Sequence, residues 1–334
     1  MKLTVLGAGC WGLTLAWLLT DNFDKVTVWG RAQDLSEDLI SNKHTSKPLE
    51  VQLKDKVEIT SDMVGAIDGA DIILSVVATS GTRDVCENLK KCGIKPEQIF
   101  VNASKGIEES SLMVLTDVIL DEIPKAKVAV ISGPSHAEEV SRLIPTTVVV
   151  AAQSRATAEF LQDTFMTERF RVYTSNDIIG VELGGSLKNV IALAAGMSDG
   201  LGFGDNTKAA LMTRGLAEIN RLGIAMGAKP ETLSGLSGIG DLFVTCTSHH
   251  SRNWNAGNLI GQGKTVEEAL KEVNQVVEGV YCAKAALKLA RKFYVEMPIV
   301  EQVNAILFDK KPVAEAVNEL FMRERRAENN AISW

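Results

Sequence analysis

No stretch of this sequence reaches the roughly 18 uninterrupted apolar residues of a membrane span. Nor is there an excess of basic charge: 35 lysines and arginines against 42 aspartates and glutamates leave a net charge of -7 over 334 residues. A phosphate-backbone partner needs a basic surface, so nucleic acid is excluded, while a local basic pocket for a small anion is still allowed. The cysteines, five in all at positions 10, 86, 92, 246 and 282, are odd in number and irregular in spacing. They form no disulfide framework and suit a reducing, cytoplasmic setting. The apolar run before Cys10 is too short for the core of a signal peptide. Cys246, His249 and His250 lack a fourth ligand at a recognisable spacing, so no metal is expected.

What the sequence does have is a globular composition, 46% hydrophobic and 23% charged, at a length that suits two ordinary domains. Its organising stretch is the N-terminal run MKLTVLGAGCWG. Residues 3–6 read as a buried strand, Gly7, Gly9 and Gly12 follow in G-x-G-x-x-G spacing, and residues 13–19 are an apolar helical segment. Strand, glycines and helix in that order are the setting of a dinucleotide-binding turn. Gly7 serves the tight turn, Gly9 the approach of a pyrophosphate, and Gly12 the packing of helix on strand. The helix N-terminus faces the phosphate charge.

Residues 25–29, 70–77, 99–102, 128–131, 147–151 and 170–174 read as further strands, several of them near-continuous apolar runs expected of a parallel strand buried on both faces. Segments with helical spacing, such as 84–91 and 111–120, lie between them. The expected fold is α/β, with an N-terminal Rossmann-like doubly wound parallel sheet. From about Asp177 the β-branched runs thin out and helical spacing takes over, which predicts a C-terminal all-helical domain. The division is placed at 180/181, giving a dinucleotide-binding domain over 1–180 and a helical substrate and catalytic domain over 181–334. A crevice between the two is the natural place for a substrate.

Several segments carry side chains suited to chemistry. The second strand ends in Gly30-Arg31, so arginine stands where an acid for the ribose hydroxyls is common. Arg31 can stack on adenine, meet a 2′-phosphate, or simply be an exposed charge at a strand end. Lys105 follows the strand at 99–102, where the plain alternative is a solvated loop charge. Ser135 and Glu138 fit a capping box at a helix start, which would suit an anion or a carbonyl oxygen. His136 beside them is as readily a plain loop histidine and is left out of the catalytic set. Adjacent Gly184 and Gly185 cost a helix roughly 1 kcal/mol each relative to alanine, so some close approach must compensate. Lys188 then sits in a segment too apolar for a solvated face, and desolvation near a second cation would lower its pKa enough to exchange a proton with an alcohol oxygen. Its plain alternative is a lysine snorkelling from a helix edge. Asp241, after a glycine-rich turn, could hold Lys188, and Arg252 offers a fork for a phosphate.

Taken together, the segments GAGCWG, NASKGIE, SGPSHAEEV, GGSLKNVIALAAGMSDGLGFGDN, TRGLAE, GLSGIGDLFVTCTS, SRN, QVVEG and EMPI occur in one order along the chain. In them the chain resembles the NAD(P)-dependent sn-glycerol-3-phosphate dehydrogenases of the bacterial type. The resemblance runs over almost the whole length. It implies reversible reduction of dihydroxyacetone phosphate to sn-glycerol 3-phosphate with NADH or NADPH, supplying the backbone of glycerophospholipids.

By the same resemblance Lys188 is the proton donor and acceptor, with Lys105 a second lysine at the substrate and Asp241, Asn189 and Thr245 around the reacting carbonyl. Gly133, Ser135, Ser251, Arg252 and Asn253 are implied substrate contacts, the last two nearest the phosphate. Cys10, Trp11, Arg31, Lys105, Ala137, Arg252, Val276 and Glu278 are implied cofactor contacts beside Gly7, Gly9 and Gly12. The other readings are a related two-domain hydroxy-acid dehydrogenase and a non-catalytic dinucleotide-sensing protein. Either nicotinamide cofactor is allowed, and so is a homodimer.

Overall fold

A computed structural model describes residues 1–46, 49–325 and 327–328. Its N-terminal half is built on eight strands: β1 (Lys2–Leu6), β2 (Lys25–Trp29), β3 (Val57–Thr60), β4 (Ile72–Ser75), β5 (Ile99–Asn102), β6 (Lys127–Ser132), β7 (Thr146–Ala152) and β8 (Phe170–Ser175). They lie in the order β3-β2-β1-β4-β5-β6-β7-β8. The order reverses between β1 and β4, so the loops after these two strands part and leave a crevice at the carboxyl edge. Both strands are β-branched and leucine-rich and buried throughout, apart from Lys2 at the start of β1, as expected of strands covered on both faces.

The sheet departs from the wholly parallel expectation in one place. β3 to β6 with β1 and β2 pair in parallel, but β7 runs antiparallel to β6, and β8 then pairs in parallel with β7. Parallel neighbours need a crossover that carries the chain back along the sheet, usually a helix. The link from β6 to β7 holds only a four-residue helix, Ala137–Val140, whereas β7 and β8 are joined through the eleven-residue helix Arg155–Phe165. The helical spacing at 111–120 is also displaced. Residues 107–114 close a tight turn through an Ile107–Val114 bridge, with Leu112 in the left-handed region, so the helix starts at Leu115.

The C-terminal half is helical and packs around one 23-residue helix, Ile178–Gly200, which Asp177 caps by accepting the Gly180 N–H at 2.9 Å. Its length and apolar composition would suit a membrane span, but it is the buried axis of this half. The 180/181 division falls in its first turn. Helix Arg252–Gly261 lies against it backbone to backbone. A Cβ on Gly196 would stand 2.1 Å from the Trp254 carbonyl oxygen, and one on Gly257 would stand 2.1 Å from that of Leu193. Glycines on both helices are therefore what lets the two axes approach, and Arg252 at the start of the second helix is close enough for its charge to reach Cys10.

Candidate active site

The long helix is packed tightly where it passes the end of the sheet. A Cβ on Gly184 would stand 2.6 Å from the Ser237 carbonyl oxygen, and one on Gly185 2.6 Å from the Ser132 hydroxyl. These contacts compensate the helix cost of the two glycines. One turn further on, Lys188 is buried, 4% exposed, and points at the helix Asp241–Thr247. A wide π-type turn, Leu236–Gly240, delivers that helix, and such turns recur at functional sites.

The Lys188 ammonium donates to Asp241 Oδ1 at 2.5 Å and to Thr245 Oγ1 at 2.5 Å. From the sheet side, Lys105 donates to the other oxygen of the same carboxylate, Oδ2, at 2.7 Å, and to the Gly133 carbonyl at 3.0 Å. One carboxylate thus faces two ammonium groups, leaving the cluster net cationic. Burial is the main force on Lys188 and pushes its pKa down to about 8; Lys105 pushes the same way, and Asp241 opposes both. His136 lies near enough to feel both lysines, and burial first, then their charge, pushes it down to about 4, so its ring is neutral at pH 7.

The loop after β6 differs from the capping-box expectation. The short helix starts at Ala137 with His136 ahead of it and no side-chain cap, while the Ser135 hydroxyl donates to the Gly133 carbonyl at 2.9 Å. Ser135 therefore turns inward to the same carbonyl that receives Lys105, because Gly133, at φ +136°, bends the chain there.

A second group of expected residues sits along the same long helix. Asn189 Oδ1 accepts from Asn253 Nδ2 at 2.9 Å, and Asn253 Oδ1 accepts the Gly279 N–H at 2.9 Å. Ser251 caps the helix Arg252–Gly261 by accepting the Trp254 N–H at 3.2 Å. Arg252, the first residue of that helix, is exposed and makes no hydrogen bond or ion pair among the described residues, and its charge reaches Cys10 and Glu278. Glu278 in turn accepts the Thr79 N–H from the sheet side at 3.3 Å. Val276 is exposed nearby in sequence.

The glycine turn is built as its spacing predicts. Gly7 has φ +116° and a Cβ there would stand 2.8 Å from the Val76 oxygen, while one on Gly12 would stand 2.0 Å from the Gly7 oxygen. Gly9 faces open space, with nothing within 4 Å of a Cβ. The helix Cys10–Leu19 begins there with no side-chain cap and no acid in its first turn, so its free N–H groups and dipole present a positive end to the crevice. These features fit a pyrophosphate. Trp11 packs on the apolar core of the sheet half, and Ala137 is buried. Arg31 follows Gly30, where a Cβ would stand 3.1 Å from that of Ala8 in the glycine turn, and is held by both carboxylate oxygens of Asp34 at 2.6 and 3.1 Å.

Family models for the N-terminus and the C-terminus of NAD-dependent glycerol-3-phosphate dehydrogenase match residues 2–158 and 177–318. The chain belongs to the NAD-dependent glycerol-3-phosphate dehydrogenase family. Among family members, the glycerol-3-phosphate dehydrogenase [NAD(P)+] of Agathobacter rectalis is 54% identical over 334 residues, covering 100% of this chain and 99% of that protein. That of Fusobacterium nucleatum is 52% identical, covering 98% of each. The crystal structure of glycerol-3-phosphate dehydrogenase from Coxiella burnetii superposes with a TM-score of 0.91 at 36% identity, over 96% of this chain and 99% of that one. A D-mandelate dehydrogenase shares only the fold, at a TM-score of 0.62 and 14% identity over 97% and 100% of the two chains.

Beside the site lie two buried residues given no role from the sequence, Glu182 and Asn102 of the NASKGIE segment, hydrogen-bonded to each other at 2.9 Å. The available signal was a lone carboxylate in an otherwise apolar helical run.

Proposed function

We propose that the chain catalyses the reversible NAD(P)-dependent reduction of dihydroxyacetone phosphate to sn-glycerol 3-phosphate, with Lys188 as proton donor and acceptor. The observation that carries the reading is the Lys188 ammonium, buried, held by Asp241 and Thr245, and set beside a second lysine. In this reading the chain up to residue 180 binds cofactor and 181–334 binds substrate. Gly7, Gly9, Gly12 and the first turn of the helix Cys10–Leu19 would hold the pyrophosphate, with Cys10, Trp11, Arg31, Ala137, Val276 and Glu278 around the rest of the dinucleotide. Bound NADH or NADPH supplies the hydride equivalent.

As the ketone oxygen gains negative charge, Lys188 gives it a proton and Lys105 adds a second positive charge. Asp241 keeps both ammonium groups aimed, and Asn189 and Thr245 offer polar contacts beside them. Arg252, with Ser251, Asn253, Gly133 and Ser135, would receive the phosphate, so that binding energy from a group remote from the carbonyl fixes its position. In the oxidation direction Lys188 must first be neutral, and it then takes the proton of the alcohol. The unpaired thiols at all five cysteines suit a cytoplasmic location.

The test is initial-rate consumption of NADH and of NADPH with dihydroxyacetone phosphate, against 2-oxo acids as competitors for the role of substrate. Turnover of the phosphorylated ketone is expected. Turnover confined to 2-oxo acids would favour the hydroxy-acid reading, and none with any would favour a sensing protein.

A further inference from the structure

Glu182 lies in the second turn of the long helix, buried, and has no part in the chemistry described above. Its Oε1 accepts from Asn102 Nδ2 at 2.9 Å and from the Thr116 N–H at 3.0 Å, and its Oε2 accepts the Thr116 hydroxyl. Asn102 is the last residue of β5. The same amide group donates to the Ser104 carbonyl at 3.1 Å, and its Oδ1 accepts the Ser104 N–H at 3.0 Å. Asn102 therefore wraps the turn that ends one residue before Lys105. One helical turn after Glu182, a Cβ on Gly185 would touch the Lys105 stem, at 3.5 Å from Cγ and 3.6 Å from Cδ. The long helix thus holds the turn with one residue, backs the lysine stem with the next on that face, and presents Lys188 beyond it.

We propose that Glu182 is a positioning residue: through Asn102 it fixes the turn that delivers Lys105 to Asp241, and so keeps the Asp241 carboxylate divided between two lysines. The proposal rests on the roles given above to Lys105 and Lys188. Lys188 is faced by Asp241 and Cys246 from one helix, by Lys105 from the loop after β5, and by His136 from the loop after β6. Glu182 is faced by Asp117 of the helix Leu115–Glu122. When Lys105 is released, Lys188 loses a neighbouring cation and gains the undivided carboxylate. Both changes favour its ammonium form, so the pH above which ketone reduction fails moves upward.

The experiment is the pH profile of kcat for dihydroxyacetone phosphate reduction in the wild type, Lys105→Met, Glu182→Ala, Asn102→Ala, the Glu182→Ala/Asn102→Ala double variant and Glu182→Gln. Lys105→Met is expected to raise the basic limb by about half a pH unit or more. Glu182→Ala and Asn102→Ala should move it the same way, and the double variant no further than either. Glu182→Gln should keep the wild-type limb, because its amide oxygen can accept both bonds made to Oε1 and its NH2 can donate to the Thr116 hydroxyl. Where Glu182→Ala does not fold, Asn102→Ala carries the test. A limb that moves in Lys105→Met but stays in place in Glu182→Ala and Asn102→Ala overturns the proposal and leaves the site reading standing. A limb unmoved even in Lys105→Met overturns both.

Discussion

Lys105 and Lys188 share the carboxylate of Asp241, one oxygen each, at 2.7 and 2.5 Å. The first lysine comes from the carboxyl edge of the sheet and the second from the central helix of the other half, so this one group ties together the two halves at the point where substrate would lie. It also sets the balance of charge around Lys188, since burial and Lys105 favour the neutral amine and Asp241 favours the ammonium.

That balance predicts the pH dependence. Ketone reduction needs the ammonium and should fall as pH rises through about 8, while alcohol oxidation needs the amine and should rise over the same range. Asp241→Asn removes the group that most favours the ammonium, so the limb should move to lower pH and kcat should drop. Profiles of kcat in both directions check this, and a limb in Asp241→Asn that coincides with the wild type would contradict it.

Arg252 has no partner among the described residues, so its guanidinium is available to a ligand. Arg252→Ala should weaken dihydroxyacetone phosphate by about 10- to 160-fold in kcat/KM, the value of a charge-assisted hydrogen bond at ~1.5–3 kcal/mol. Dihydroxyacetone, without the phosphate, should be turned over at a rate little changed by the substitution. Equal losses on the two ketones would remove Arg252 from the anchoring role.

The glycines of the first turn should separate by what a side chain would meet. A Cβ on Gly12 would stand 2.0 Å from a backbone oxygen, whereas one on Gly9 meets nothing. Gly12→Ala should therefore lower Tm, while Gly9→Val should leave Tm near the wild type and raise the Kd for NADH. Thermal melts and fluorescence titration with NADH read the two effects separately, and a Gly9→Val protein with unchanged affinity would place the pyrophosphate elsewhere.

Much of this was legible in the residues because it is local. Apolar β-branched runs and the glycine turn specify β1 and its neighbours, and the excess of apolar positions around Lys188 reports its burial. The paired glycines at 184 and 185 also announced a close approach, which the Ser237 oxygen and the Ser132 hydroxyl supply. What was hidden depends on partners distant in sequence. The antiparallel seat of β7 follows from the path of a short link, which periodicity does not encode. The helix Arg252–Gly261, rich in asparagine and glycine, has poor intrinsic helix propensity and is helical because its glycines pack on the backbone of Leu193, Met197 and Gly200. The Ser135–Glu138 spacing imitated a cap, but the hydroxyl found a nearer carbonyl at Gly133. Glu182 likewise gains meaning only once Asn102 and Thr116 are brought to it.

The most direct test of the account is the rate of dihydroxyacetone phosphate reduction by Lys188→Ala, measured alongside its affinity for NADH. Loss of a positioned proton donor predicts a fall in kcat of about 10²- to 10⁴-fold, with NADH binding nearly unchanged because the hydrogen bonds of Lys188 run to Asp241 and Thr245 and none to the glycine turn. A Lys188→Ala enzyme that turns over at close to the wild-type rate would contradict it.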